Sequence, residues 1–192
     1  HYPAFCGVVG PGFADGAVVG NIFTSPSTDD AYHVGKAAAN GGGLLFSTGN
    51  YAGDVMNFNL AQERLQAEGI DTRNVYVTDD VASAPVEEIH KRRGIAGDFV
   101  VFKVAGAAAD AGLSLDEVER LAIKANDRTR TMGVGLGIYG EPGIAEEDLP
   151  PAADLAVLLL DKVLAEEPAD STKRVGAILN GLGGTKYEEL FV

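Results

Sequence analysis

Two periods of hydrophobic positions alternate along this chain. Residues 17–23 form a short apolar run of strand length, and Thr24-Ser25-Pro26-Ser27 follows as a turn and helix cap, leading into a helix through Ala39. Asn40-Gly41-Gly42-Gly43 stops that helix, and a second apolar run from Leu44 to Ser47, closing at Thr48, reads as a buried strand. Residues 55–68 carry Val55, Phe58, Ala61 and Leu65 on one helical face, Gly69 ends the helix, and residues 74–78 make the next strand. Strand, helix, strand in this order predicts a parallel sheet with helices on its faces.

Residues 79–93 read as a loop, polar and charged around Pro85. Residues 99–109 are apolar apart from Lys103, and periodicity leaves open a strand running into a helix or a buried helix. Ser114-Leu115-Asp116-Glu117 is a capping box for a helix whose stripe is Leu115, Val118, Leu121, Ala122 and Ala125. Residues 133–143 place glycine at nearly every second position, which predicts a strand with one bare face. A helix from Pro150-Pro151 to about Glu166, a final strand over 174–179, and a Gly-rich loop into a short helical segment ending at Leu190 complete the pattern. The expected class is α/β: a layered, mostly parallel sheet with helices on both faces, in two lobes, 1–133 and 134–192.

Composition narrows the partners. Of 192 residues 46% are hydrophobic, enough for a real core, and 28 acidic against 15 basic residues give a net charge of −13. That charge repels phosphate backbones and anionic membrane surfaces, so neither nucleic acid nor membrane is expected as a partner. No apolar run is long enough to cross a bilayer, and a cytoplasmic location is the default expectation. The single cysteine, Cys6, has no partner for an internal disulfide and no ligand cluster at metal spacing, and reads as a small apolar residue.

The chemistry concentrates at Gly49-Asn50-Tyr51-Ala52-Gly53-Asp54, where the second strand gives way to a helix. Glycines on both sides permit close backbone approach to a ligand, and the helix start offers free N–H groups and a positive dipole end. A carboxylate there is positioned for chemistry. Asp is also a good helix N-cap, so a purely structural role for Asp54 competes with the functional one.

Six stretches together resemble the substrate-binding, K-type domain of the dihydroxyacetone kinase family: His1-Tyr2-Pro3-Ala4-Phe5, Asn21-Ile22-Phe23-Thr24-Ser25-Pro26-Ser27, the Asn50 to Phe58 segment, Arg130-Thr131-Met132-Gly133, Gly137-Ile138-Tyr139-Gly140-Glu141-Pro142-Gly143 and Asn180-Gly181-Leu182-Gly183-Gly184-Thr185. They fall in family order over nearly the whole chain, and the opening and closing wording looks most like the branch acting on four-carbon ketoses such as erythrulose. The resemblance implies that His1 hydrogen-bonds the ketose and that Asp54 binds the reacting hydroxyl, with Gly49 and Asn50 also lining the site. A hydroxyl losing its proton to an arriving phosphoryl group needs such an acceptor. Members of the family take the phosphoryl group either from ATP on a helical domain or from a phosphocarrier-fed partner subunit; the erythrulose-like branch implies ATP and magnesium held by a helical nucleotide-binding domain, fused or separate, and the resemblance also implies a homodimer. No Walker-type phosphate loop occurs in the chain itself.

Three departures from the family pattern stand out. Tyr139 occupies the position of the histidine that traps the substrate carbonyl covalently; a phenol cannot form that hemiaminal, so Tyr139 either hydrogen-bonds the ketose or packs as an aromatic. Gly49 replaces a lysine found in many relatives, which is expected to enlarge the pocket. Relatives also carry roughly fifty residues ahead of the His1 position, a longer segment between Gly133 and Gly135, and a tail, normal bounds for such a domain. The leading expectation is therefore the ketose-binding part of an ATP-dependent kinase. A catalytically silent ketose sensor is the alternative, and a dinucleotide site at Gly135 to Gly140 is disfavoured because Glu141-Pro142 follows instead of a helix.

Overall fold

The structure is a computed structural model that describes residues 5, 7–135, 143–182 and 184–191. His1, Cys6 and Tyr139, and the centre of the glycine-rich segment at 136–142, lie outside the described residues.

Helix α1 (Thr28–Ala38) starts where the TSPS turn predicts it. Ser27 is its N-cap, accepting from the Asp30 N–H while the Asp30 carboxylate accepts from the Ser27 N–H, a reciprocal capping box. Strand β1 (Leu44–Gly49) pairs in parallel with β2 (Thr72–Val77), Ser47 opposite Val75 and Gly49 opposite Val77. Between them α2 (Ala52–Ala67) makes the crossover, and Gly69, at φ 84°, takes the left-handed turn that releases the chain toward β2.

Strand alternation sends side chains to two separate cores. Phe46 meets Phe58, Ala61 and Leu65 of α2 and Ala31 and Tyr32 of α1, with the Phe46 and Phe58 rings edge to face at 5.2 Å. On the other face Val75 and Val77 meet Val101, Ala105 and Ala108 of α3 (Gly97–Asp110) and Val118 and Ala122 of α4 (Leu115–Asp127). Each fully buried Leu, Val or Phe contributes about 1.5–3 kcal/mol, so these two layers hold the parallel pair. Helices on both faces of a parallel sheet are the expected α/β arrangement.

The ambiguous 99–109 stretch is helix α3. Its apolar character runs around the helix because α3 lies between the sheet and α4, with Gly106 so close to Phe13 that a Cβ would stand 2.2 Å from the Phe13 carbonyl oxygen. Two predicted strands are absent. Residues 17–23 are irregular: Phe23 takes a left-handed backbone at φ 58°, and Val19 and Ile22 stay exposed. Residues 174–179 are also irregular, with Val175 and Ile178 exposed and no neighbouring strand to pair with among the described residues.

Beyond residue 143 the chain forms α5 (Ala152–Leu164) and a short 3-10 turn, Tyr187–Phe191, neither with a buried residue among those described. The tie to the α/β unit is ionic. Arg92, wholly buried, forks onto Glu166 at 2.6 and 2.5 Å and donates to the Ala84 carbonyl, and Arg130 reaches the same Glu166 at 3.0 Å. Among the described residues no helix is long and apolar enough to cross a membrane.

Candidate functional site

The C-terminal ends of β1 and β2 face the N-terminal ends of α2 and α3, the edge at which parallel α/β sheets bind ligands. β1 ends at Gly49, whose successor Asn50 continues the ladder by donating its N–H to the Val77 carbonyl. The chain then turns at Tyr51, which is the N-cap of α2 without a side-chain cap bond. Asp54 is thus the third helical residue and not the N-cap, so the capping role expected for this acid falls to Tyr51.

Asp54 is 4% exposed, and the Ser25 hydroxyl, which itself donates to the Pro26 carbonyl at 3.1 Å, is near enough to act on its carboxyl. Removal from water pushes its carboxyl above the ordinary carboxylate range, and the Ser25 bond works against that rise. Ser25 is brought in by the loop before α1. Asn57, one turn beyond Asp54, donates to the Ser25 hydroxyl at 3.2 Å and to the Pro26 carbonyl at 2.8 Å, while accepting from Thr28. Gly53 completes the fit, because a Cβ there would stand 3.1 Å from the Ser25 Cβ. Ser25 also lines a concavity of about 500 Å³ with Asn21, Thr24, Pro26 and Asn57.

The other sequence-predicted residues fare differently. Asn50 spends its side-chain N–H groups on the carbonyls of His90 and Arg92, at 3.1 and 2.7 Å, so it anchors the 86–92 loop over the strand ends. Gly49 does not open extra space. A side chain there would meet the Tyr51 ring at 2.9 Å and the Gly94 carbonyl oxygen at 3.0 Å, so the volume expected from the missing lysine is already filled. His1 and Tyr139 lie outside the described residues.

Two further buried acids that sequence reading passed over lie near the head of α3, and Asp98 among them is near enough to feel the charges of both Asp79 and Asp54. Asp79, wholly buried, accepts from the Ile95 and Gly97 N–H groups at 2.9 and 2.8 Å and from the Thr131 hydroxyl, and so caps α3. Asp98, in the first turn of α3, is 6% exposed; burial, then the charges of Asp79 and Asp54, push its carboxyl well above the usual range. The signal for Asp98 was a lone acid at the head of an apolar stretch. For Ser25 it was the TSPS turn itself, but the contact with Asp54 spans elements that no local pattern connects.

A buried carboxyl at the sheet edge, Asp54, can accept a proton, and Asp98 with its unpartnered Oδ1 can bind a neutral hydroxyl. Among the described residues no group of three or more His, Cys, Asp or Glu side chains is disposed to hold a metal ion.

Comparison with known proteins places the chain. The model of the Dak1 domain matches residues 1–136 and 133–192, two segments that meet at the junction where a longer stretch is expected in relatives. D-erythrulose kinase of Mycolicibacterium smegmatis is 57% identical over 216 aligned positions, covering 100% of this chain and 37% of that protein. The dihydroxyacetone-binding subunit DhaK of PTS-dependent dihydroxyacetone kinase 2 of Listeria innocua is 41% identical, with 100% of this chain and 65% of that protein covered. Among solved structures, the dihydroxyacetone kinase of C. freundii in complex with AMP-PNP and Mg2+ superposes with a TM-score of 0.79 at 32% identity, over 88% of this chain and 35% of that one. The chain thus spans little more than a third of the kinases it matches. With the family model covering the sequence end to end and the α/β fold in agreement, this chain belongs to the Dak1 domain family.

Proposed function

We propose that the chain is the ketose-binding part of an ATP-dependent kinase that phosphorylates a terminal hydroxyl of a short ketose, with erythrulose favoured over dihydroxyacetone. The observation that carries the reading is Asp54: a buried carboxyl with raised proton affinity, held by Ser25 at the strand ends. A proton acceptor whose affinity for the proton lies nearer to neutral pH than an ordinary aspartate's suits general-base work. The 57% identity to a D-erythrulose kinase supports the four-carbon substrate.

In the reaction the hydroxyl oxygen of the ketose attacks the terminal phosphorus of the nucleotide. The bond from that phosphorus to the leaving diphosphate breaks, and the hydroxyl proton passes to Asp54. Ser25, beside the Asp54 carboxyl, opposes the rise in its proton affinity. The nucleotide and magnesium are assigned to a helical domain outside this chain on the family resemblance, and the AMP-PNP and Mg2+ in the C. freundii kinase, 35% of which this chain covers, support that division. His1 is assigned to hydrogen-bonding the ketose and Tyr139 to a non-covalent contact with it, on the family resemblance. Mass spectrometry of protein soaked with erythrulose should find no stable adduct on Tyr139, and an adduct there would remove this assignment. The protein acts as a homodimer in this reading, built from lobes 1–133 and 134–192, which light scattering tests. The silent-sensor reading is less favoured, because a sensor does not require a buried proton acceptor.

Calorimetric titration with erythrulose and with dihydroxyacetone tests the substrate. Saturable binding with preference for erythrulose is expected, and no binding of either ketose would overturn the proposal.

A further inference from the structure

Asp98 has no structural task that accounts for it. The N–H groups of Ile95 and Gly97 at the head of α3 are already taken by Asp79, so Asp98 is not the cap. It is 6% exposed, and its Oδ1 has no hydrogen-bond partner. A buried carboxyl with an unmade hydrogen bond is costly, and such groups persist where something else completes them.

Its location says what that could be. Oδ1 stands 2.6 Å from the point where a Cβ on Gly94 would lie, and the same point is 2.5 Å from the Gly49 Cα and 2.7 Å from the Val77 carbonyl oxygen. Asp98 therefore lies against the C-terminal ends of both strands, where Gly49 and Gly94 meet in close backbone contact. Asp54 is near enough for its charge to act on Asp98. Ser47, two residues before Gly49 on the same face of β1, is half-buried but its hydroxyl oxygen is buried and unpartnered, so the unmet polarity extends along this side of the sheet.

The group that fits is neutral and both gives and accepts a hydrogen bond. An anion would meet three buried acids, and a purely apolar group would leave Oδ1 unpaired. A protonated carboxyl likewise gives and accepts, and burial together with the neighbouring acids favours that form of Asp98. A sugar hydroxyl is the matching partner. We propose that Asp98 is a second substrate-binding carboxyl, pairing with a ketose hydroxyl other than the one held by Asp54. This rests on the ketose reading above.

Calorimetric titration of the protein with erythrulose, for the wild type, Asp98→Asn and Asp98→Val, tests it, with circular dichroism melting alongside. The amide keeps a donor and an acceptor, so Asp98→Asn should bind within about threefold of wild type, whereas Asp98→Val should bind at least about tenfold more weakly. Infrared difference spectra of the wild type give an independent readout: the carbonyl stretch of a protonated carboxyl should shift on adding erythrulose, and that shift should vanish in Asp98→Asn. A folded Asp98→Val that binds as tightly as wild type overturns the inference and leaves the ketose reading intact. If Asp98→Val does not fold, the infrared result decides, and an unmoved carboxyl band overturns it. Failure of the wild type to bind erythrulose at all overturns the ketose reading, and this inference with it.

Discussion

Asp54 is subject to opposed pulls that can be separated by mutation. Burial raises its proton affinity, and the Ser25 hydroxyl lowers it. Removing the hydroxyl in Ser25→Ala should therefore move the acidic limb of the pH–kcat profile to higher pH, while an unmoved limb would mean that Ser25 does not act through Asp54. The same raised affinity has a sign for stability. A carboxyl whose folded pKa lies above its unfolded value contributes stability at low pH and loses it as pH rises through the folded value. Asp54→Asn should accordingly melt at the same temperature or higher than wild type at neutral pH, the difference disappearing in acid, as expected where a functional site is held at some cost to stability. A lower melting temperature for Asp54→Asn at neutral pH would contradict this.

The glycine pair at the strand ends is where element geometry is most constrained. A Cβ on Gly94 would sit 2.5 Å from the Gly49 Cα and 2.7 Å from the Val77 carbonyl oxygen, both backbone atoms that have no rotamer to give. Gly94→Ala should cost about 1–3 kcal/mol, read as a lower urea midpoint, through forced separation of β1 from the 92–97 segment. The elements around this edge were legible to different degrees. α1, β1, α2, β2, α4 and α5 carry regular periodicity bounded by caps or glycines, and each forms within a few residues of its expected place. α3 was ambiguous because packing on two sides erases its stripe. The runs at 17–23 and 174–179 have strand-like composition, but a strand exists only with a neighbour, and pairing is a long-range property that composition does not carry. The site divides in the same way. Asp54 was visible because its turn is local, whereas Ser25, Asp79 and Asp98 converge on it only through the crossover and the start of α3.

At the scale of the whole molecule, Glu166 joins the segment beyond residue 143 to the α/β unit. Arg92, with no exposure of its own, has its charge met by Glu166, whose carboxyl is held below the usual range chiefly by that bond. A depressed pKa contributes stability above the unfolded value and loses it as pH falls through the folded one, so this tie weakens in acid below the ordinary glutamate range. Glu166→Ala leaves a buried cation unmatched and should cost about 3–5 kcal/mol by chemical denaturation; a loss under about 1 kcal/mol would show that the tie carries little. The central claim is that Asp54 takes the proton from a bound ketose. The measurement that tests it most directly is turnover of erythrulose with ATP by Asp54→Asn, assayed with the nucleotide-binding domain present and with ketose affinity measured in the same preparation. A fall in kcat of about 10²–10⁴-fold with ketose still bound, though more weakly, is the predicted result. Turnover equal to wild type would contradict the account.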